Sequence, residues 1–390
     1  MSSRGPRDNG VVLTVDETKK EPFHVLHVLT RLPVGGVENM LLKVVQGYDP
    51  KRFRVSICCI KEGGEIADEL KRLGYPVFVL DRMKGRGFDW GAVRVLYQLI
   101  RKKGVDILRT HQYHANLYGR IAGILARVPV IIPSFHNLYR SPEKPKLHRR
   151  LLNYLLSLSS DRLVAVSHAV AADLIHYDRV ALAKVRVIHN GVVAAQFRIE
   201  ISKEEARQRL GLPSEGFLIG NAGRLSGQKG QRHLVEAASG LDASVAIAGD
   251  GPLRSELEEF GKVQGVTCIF LGMLRTEDMP LFMKAVDLFC FPSLWEGLPS
   301  ALVEAITAGL PVIASDIPSN KEVLGDAGIL VAAGDVVKLR KALQEVVASR
   351  ERLIELQDKA REQSAQFSIE RTVTAYEDLF LQVLKEKGLA

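Results

Sequence analysis

The sequence predicts an α/β protein made of two doubly wound, Rossmann-like domains that face one another across a ligand cleft. Three observations carry this. Short β-branched runs alternate with amphipathic helical stretches along the chain, the pattern of parallel sheets covered by helices on both faces. The pattern closes at the Asn190-Gly191 turn and restarts near Phe217, so it occurs twice. A length of 390 residues is also too great for one typical core.

Taken in order, residues 1–21 are polar, lack the apolar core and cleavage site of a signal peptide, and are expected to be a disordered tail. The first domain, 22–193, carries strand signals at 24–30, 53–60, 77–80, 107–110, 130–134, 163–166 and 185–188. Helical periodicity is clearest at 89–103, 116–126 and 147–157. The second domain, 194–367, repeats the scheme with strands at 217–221, 244–248, 267–270, 288–290, 312–314 and 329–331. Its helices are expected at 203–210, 233–239, 253–262, 301–308 and 336–350. Everything from Glu351 reads as helix, and Ser368 is an N-cap for a last helix over 368–390 that ends near Lys387.

Composition excludes several classes. Cys58, Cys59, Cys268 and Cys290 lie in apolar runs and form no C-x-x-C pair, which argues for reduced, buried thiols. No apolar run reaches the eighteen or so residues that span a bilayer. Charge is uneven: residues 1–190 hold 31 Lys and Arg against 17 Asp and Glu, whereas residues 191–390 hold 22 against 28. The basic half suits an anionic acceptor or membrane surface. Its cations (Arg101-Lys102-Lys103, Lys144, Lys146, Arg149-Arg150) lack interleaved aromatics or any nucleic-acid motif, so nucleic acid is not expected.

The most telling segment runs from Phe291 to Glu304. A strand ends at Pro292, a tight loop carries Glu296-Gly297-Leu298-Pro299, and a helix rich in Ala, Leu and Val starts near Ser300. Ligands of open α/β sheets bind at such strand ends, where helix N–H groups meet anions. Carboxylates suit sugar hydroxyls and the N–H groups suit phosphate. A second turn, Gly223-Arg224 through Lys229-Gly230, brings two cations to a strand end. It is not a P-loop, because Gln228 separates Gly227 from Lys229 and Gly230 follows. Alone it reads equally as a basic surface turn; beside Glu296 it favours a diphosphate.

Gly35-Gly36 form another glycine-rich strand-to-helix turn, expected to face Arg224 and Lys229 across the cleft. Gly249-Asp250-Gly251-Pro252 lacks the third glycine of a dinucleotide fingerprint, which argues against NAD; it is chiefly a turn with room for a base or ribose contact. His136 ends a strand where the cleft should lie, and His111 and His114 follow another and suit an acceptor pocket. Their spacing lacks a third metal ligand. No Asp-x-Asp occurs, so charge on a departing diphosphate falls to Arg224, Lys229 and helix N-termini.

Glu296 and Glu304 resemble the E-x7-E motif of retaining glycosyltransferases of family 4, which have the GT-B fold. The resemblance covers nearly the whole chain, through Gly35-Gly36, Phe135-His136, His189-Asn190-Gly191-Val192, Gly223-Arg224, Lys229-Gly230, Gly249-Asp250-Gly251-Pro252 and Gly309-Leu310-Pro311-Val312. It implies that Glu304 holds the donor's ribose diol, and that Arg224 and Lys229 hold its diphosphate. Glu296 and the backbone of Gly297, Leu298, Pro299 and Ser300 would grip the sugar. His136 would sit at the reaction centre, and Gly35, Gly36, Gly223, Gly249 and Gly251 would approach the donor. The last helix would cross back onto the first domain. Leu298 stands where an aromatic is common, and Ser226-Gly227-Gln228 replaces a more usual acidic or proline-containing turn, which leaves donor identity open.

The expectation is a cytoplasmic enzyme, peripheral on the inner membrane face. It moves a hexose from a UDP or GDP sugar to a lipid-linked or glycan acceptor in cell-surface polysaccharide or glycolipid synthesis, with no cofactor and no divalent metal. Two alternatives stand beside it. A nucleotide-sugar 2-epimerase shares the fold but needs carboxylates at the sugar ring; a non-catalytic nucleotide-sugar-binding protein fits poorly with intact Glu296, Arg224, Lys229 and His136.

Overall fold

A computed structural model describes residues 22–33, 35–85, 87–138 and 147–390. The tail expected over 1–21, with Lys144 and Lys146, lies outside the described residues. Seven parallel strands form the first sheet: β1 Phe23–Leu29, β2 Phe53–Cys59, β3 Val77–Val79, β4 Ile107–His111, β5 Val130–Phe135, β6 Leu163–Ala165 and β7 Val185–Val187, in the order β3-β2-β1-β4-β5-β6-β7. Six parallel strands form the second: β8 Phe217–Ala222, β9 Ala243–Ala248, β10 Cys268–Gly272, β11 Leu288–Phe291, β12 Val312–Ser315 and β13 Ile329–Val331, in the order β10-β9-β8-β11-β12-β13. Each sheet reverses direction of growth once, between β1 and β4 and between β8 and β11. A crevice opens at the strand ends there. The central strands β4 and β5 are buried along their whole length, and the polar groups they carry, Arg109, Thr110, His111 and Ser134, are buried with them.

Caps fix the helix starts. The Asp89 side chain accepts from the Ala92 N–H at 3.0 Å and starts helix Trp90–Lys103. Ser368 caps helix Ile369–Glu386 in the same way. That last helix returns to the first domain: Ile369, Val373, Tyr376 and Phe380 join the core formed with helix Gly36–Gly47 and β1. Burying each such side chain contributes roughly 1.5–3 kcal/mol. A bridge between Val192 and Ser368 marks where the chain re-enters.

The helix expected over 336–350 ends at Val347, and the helical stretch expected from Glu351 begins at Arg350 and runs to Ser364, because the Ser349 side chain accepts from the Arg352 N–H and caps its start. Helix Gln112–Ala126 starts four residues before its expected onset. Gln112 adopts φ +63° and turns the chain from β4 directly into the helix. Short helices Glu65–Arg72, Met279–Ala285 and Pro318–Leu324 carry too few turns to stand out as periodicity.

Candidate functional site

β8 and β11 are neighbours in register, Leu288 beside Ile219, so their following loops leave the sheet side by side. The first gives Arg224 and Lys229; the second gives Glu296 and then helix Ser300–Thr307. The Leu294 N–H donates to the Gln228 carbonyl and Gln228 Nε2 donates to the Trp295 carbonyl, both at 2.8 Å, which ties the loops together. Lys229 Nζ then reaches Glu296 Oε1 at 2.6 Å in a largely shielded pair. Arg224 is exposed, and no carboxylate pairs with its guanidinium among the described residues. Gly249 holds φ +144°, and a Cβ there would stand 2.0 Å from the Gly223 carbonyl oxygen, so the β8 and β9 turns touch only through glycine.

Glu304 lies one turn into its helix. Burial raises its carboxyl to about 7, against the opposing pull of Lys43 from the first domain. Burial lowers the Lys43 ammonium in turn, and Glu304 resists that. Two helix N-termini face each other here: a Cβ on Gly36 would come within 3.1 Å of Ser300 Oγ. Together these elements line a cleft of about 570 Å³. It takes in every expected site residue but one. Gly251 packs against the backbone of Leu225, 2.4 Å from its carbonyl oxygen to an added Cβ, so its small size serves the turn and not the cleft.

The first domain meets this half closely beside His136. A Cβ on Gly297 would stand 2.0 Å from the His136 carbonyl oxygen, and Ser167 Oγ donates to the Gly297 carbonyl at 2.7 Å. Glu38 also lines the cleft; burial raises its carboxyl, while Gln112 Nε2 donates to it at 2.9 Å.

Behind His136 stands a row of imidazoles. His27 ends toward β1, His111 ends β4 and His136 follows β5, three adjacent strands. His27 Nδ1 is 3.1 Å from His111 Nε2, and His111 Nδ1 is 3.3 Å from His136 Nε2. Neutral imidazole has one N–H and one acceptor, so two links across three rings make the tautomers change together. Burial and the Arg109 cation hold all three low, His136 at about 3. The row stays neutral at ordinary pH, and the Nδ1 of His136 has no partner among the described residues. Arg109 is itself buried, stacked 3.7 Å over the Tyr376 ring of the last helix and donating to Ser134 Oγ at 2.6 Å. His111 is therefore not a pocket wall as expected; it is fully buried behind one. His114 is exposed and lies outside the cleft lining.

Reading by sequence also missed Glu38, Lys43, Asn137 and Asn190, whose only signal was closeness to a glycine turn or strand end. Among the described residues one cluster has metal-ligand chemistry, His168, His189 and Glu322, outside the cleft lining. Glu322 already joins the two halves there, accepting from the His168 N–H at 2.9 Å and bonding His189 Nε2 at 2.5 Å.

Two family models divide the chain: residues 34–196 match "Glycosyltransferase Family 4" and residues 202–366 match "Glycosyl transferases group 1". The chain is 28% identical over 379 residues to the UDP-Gal:alpha-D-GlcNAc-diphosphoundecaprenol alpha-1,3-galactosyltransferase of Escherichia coli, covering 93% of this chain and 98% of that one. Its fold matches Anabaena HepE, solved with UDP and glucose, at a TM-score of 0.82 and 21% identity over 92% of this chain and 100% of the other. It also matches WaaG, a glycosyltransferase of lipopolysaccharide biosynthesis, at 0.72 and 16% over 91% and 99%.

Proposed function

The chain belongs to glycosyltransferase family 4 and has the GT-B fold, and on that premise we propose that it transfers a hexose from a nucleoside-diphosphate sugar to a lipid-linked acceptor with retention of configuration. The observation that carries this reading is the juxtaposition of the Lys229–Glu296 pair, unpaired Arg224, Glu304 and two helix N-termini around one cleft. In it, Arg224, Lys229 and the N-termini at Gly36 and Ser300 take the diphosphate. Glu304 takes the ribose diol, and Glu296 with the backbone from Gly297 to Ser300 takes the sugar hydroxyls. His136, held neutral, lines the cleft beside the sugar as a polar wall and not as an acid.

During transfer the C1–O bond to the diphosphate breaks and its electron pair goes to the leaving oxygen. The acceptor oxygen forms the new C1–O bond on the same face and passes its proton to that oxygen. Lys229 and Arg224 stabilise the charge that develops, which is the part of the reaction a preorganised site accelerates most. These cations take the place a divalent metal would have, so activity is expected in EDTA. UDP is favoured over GDP as carrier because the E. coli relative is named for UDP-Gal and HepE was solved with UDP. The lipid-linked acceptor follows the same relative, in polysaccharide or glycolipid synthesis. Residues 22–193 form the acceptor domain, 194–367 the donor domain, and 368–390 the returning helix. The enzyme would work in the cytoplasm against the membrane; no helix among the described residues is long and apolar enough to cross it.

A panel of UDP and GDP sugars tests this, read as released nucleoside diphosphate with a polyprenyl-diphosphate-linked sugar as acceptor, in EDTA. Acceptor-dependent release from a UDP-hexose is expected, with NMR of the product giving the donor's anomeric configuration. No release from any donor, or an inverted product, refutes the reading.

A further inference from the structure

Helix Leu147–Leu158 turns its broad apolar stripe to solvent. Leu147, Leu151, Tyr154, Leu155 and Leu158 share one stripe at helical spacing, and their exposures are 74, 56, 39, 50 and 58%. The inward side is narrow and mixed. Leu156 is buried there with Asn153 and Ser157, and Arg120 donates to Asn153 at 2.6 Å while Asn153 donates to Asp178 at 2.5 Å. A helix between protein and water shows the reverse arrangement, and a patch of this kind marks a partner.

Charge identifies the partner. The helix carries His148, Arg149 and Arg150 and no acidic residue. Arg149 is exposed and rests 4.8 Å over the Tyr113 ring, on the helix that leaves β4 beside His111. Two copies meeting through this stripe would bring like cations together with no carboxylate on either helix to pair them. An anionic lipid surface supplies both what the stripe lacks, an apolar phase, and what the cations lack, phosphate.

We propose that Leu147–Leu158 is the surface by which this enzyme lies on an anionic bilayer, its leucines below the headgroups and His148 and Arg149 among the lipid phosphates. This deepens the lipid-linked acceptor reading, since it sets the acceptor domain against the membrane that holds such a substrate.

The test is co-sedimentation of the full chain with phosphatidylglycerol and with phosphatidylcholine vesicles, for wild type and for Leu151→Gln/Leu155→Gln. Wild type should bind the anionic vesicles and lose most binding at high salt. The double variant should bind at least tenfold more weakly, roughly the loss of one to two buried leucines. Its melting temperature and its turnover of a water-soluble acceptor should stay at wild-type values. Arg149→Gln should cost about fivefold, the scale of one cation at such a surface. Equal binding by the double variant, or no binding by wild type, overturns the proposal; so does a dimer that the double variant dissolves without any vesicle binding. The vesicle assay contains no substrate. Vesicle binding without transfer to any acceptor would therefore sink the functional reading and leave this one standing.

Discussion

The two walls of the cleft are built by different means. The second domain presents charge on loops directly after neighbouring strands, with Lys229 and Glu296 joined at 2.6 Å and Arg224 open to solvent. The first presents neutral groups backed by the core, where His27, His111 and His136 are drawn from β1, β4 and the end of β5. The difference teaches where each kind of chemistry can be read. Charged loop chemistry is local in sequence, whereas a hydrogen-bonded row across adjacent strands exists only once the order β1-β4-β5 is known.

Removing a charge from the second wall should have the largest effect. Lys229→Ala is expected to lower kcat by roughly a hundredfold or more, because it removes transition-state charge stabilisation and leaves the Glu296 carboxylate unpartnered. Near-normal turnover in steady-state kinetics would remove Lys229 from the mechanism. Next comes the contact between the walls. Gly297→Ala must push the His136 backbone away from an added Cβ at 2.0 Å. It should cost about 1–3 kcal/mol of stability in denaturant titration and lower kcat with it. An unaffected variant would mean the two halves do not hold this closed contact in solution.

Glu304 sharpens the comparison through pH. Its folded value of about 7 lies above the ordinary 4.5, so the folded protein holds the extra proton between those values. Stability from this group is therefore full below about pH 4.5 and is lost as pH rises toward 7. Glu304→Gln should gain on wild type over that window, by on the order of 3 kcal/mol at pH 8. A gap that does not change with pH would refute the burial assignment. The smallest effect belongs to the first wall. His111→Gln breaks the linked tautomers and should reduce kcat by about tenfold, the scale of one hydrogen bond, with donor KM unchanged. Because burial and Arg109 hold His136 at about 3, no limb of the wild-type pH–rate profile between pH 5 and 9 should belong to it.

Legibility in the sequence followed the same division. All thirteen strands of the two sheets were signalled by short runs rich in β-branched and other apolar residues, the kind that pack well on a pleated, largely covered surface. The Ser368 cap was visible because capping is a local affair of side chain and nearby N–H. Gly251 falls outside the cleft lining, and the reason was not legible because a glycine's reason for being small is spatial, here the Leu225 backbone. Lys43 and Glu38 were overlooked on a helix whose apolar residues dominate its pattern, and their meaning comes from Glu304 and Gln112, far away in sequence. The stripe on Leu147–Leu158 looked like an ordinary amphipathic helix; periodicity reports that one side is apolar and not which way it points.

The donor site is held to be metal-free, with its charged groups and Glu304 supplied by the second wall. Calorimetric titration of UDP in EDTA, for wild type, Glu304→Ala and His111→Gln, tests this most directly. The expected result is binding by wild type without metal, clear weakening in Glu304→Ala, and unchanged affinity in His111→Gln. Binding that vanishes in EDTA, or that survives Glu304→Ala intact, would contradict it.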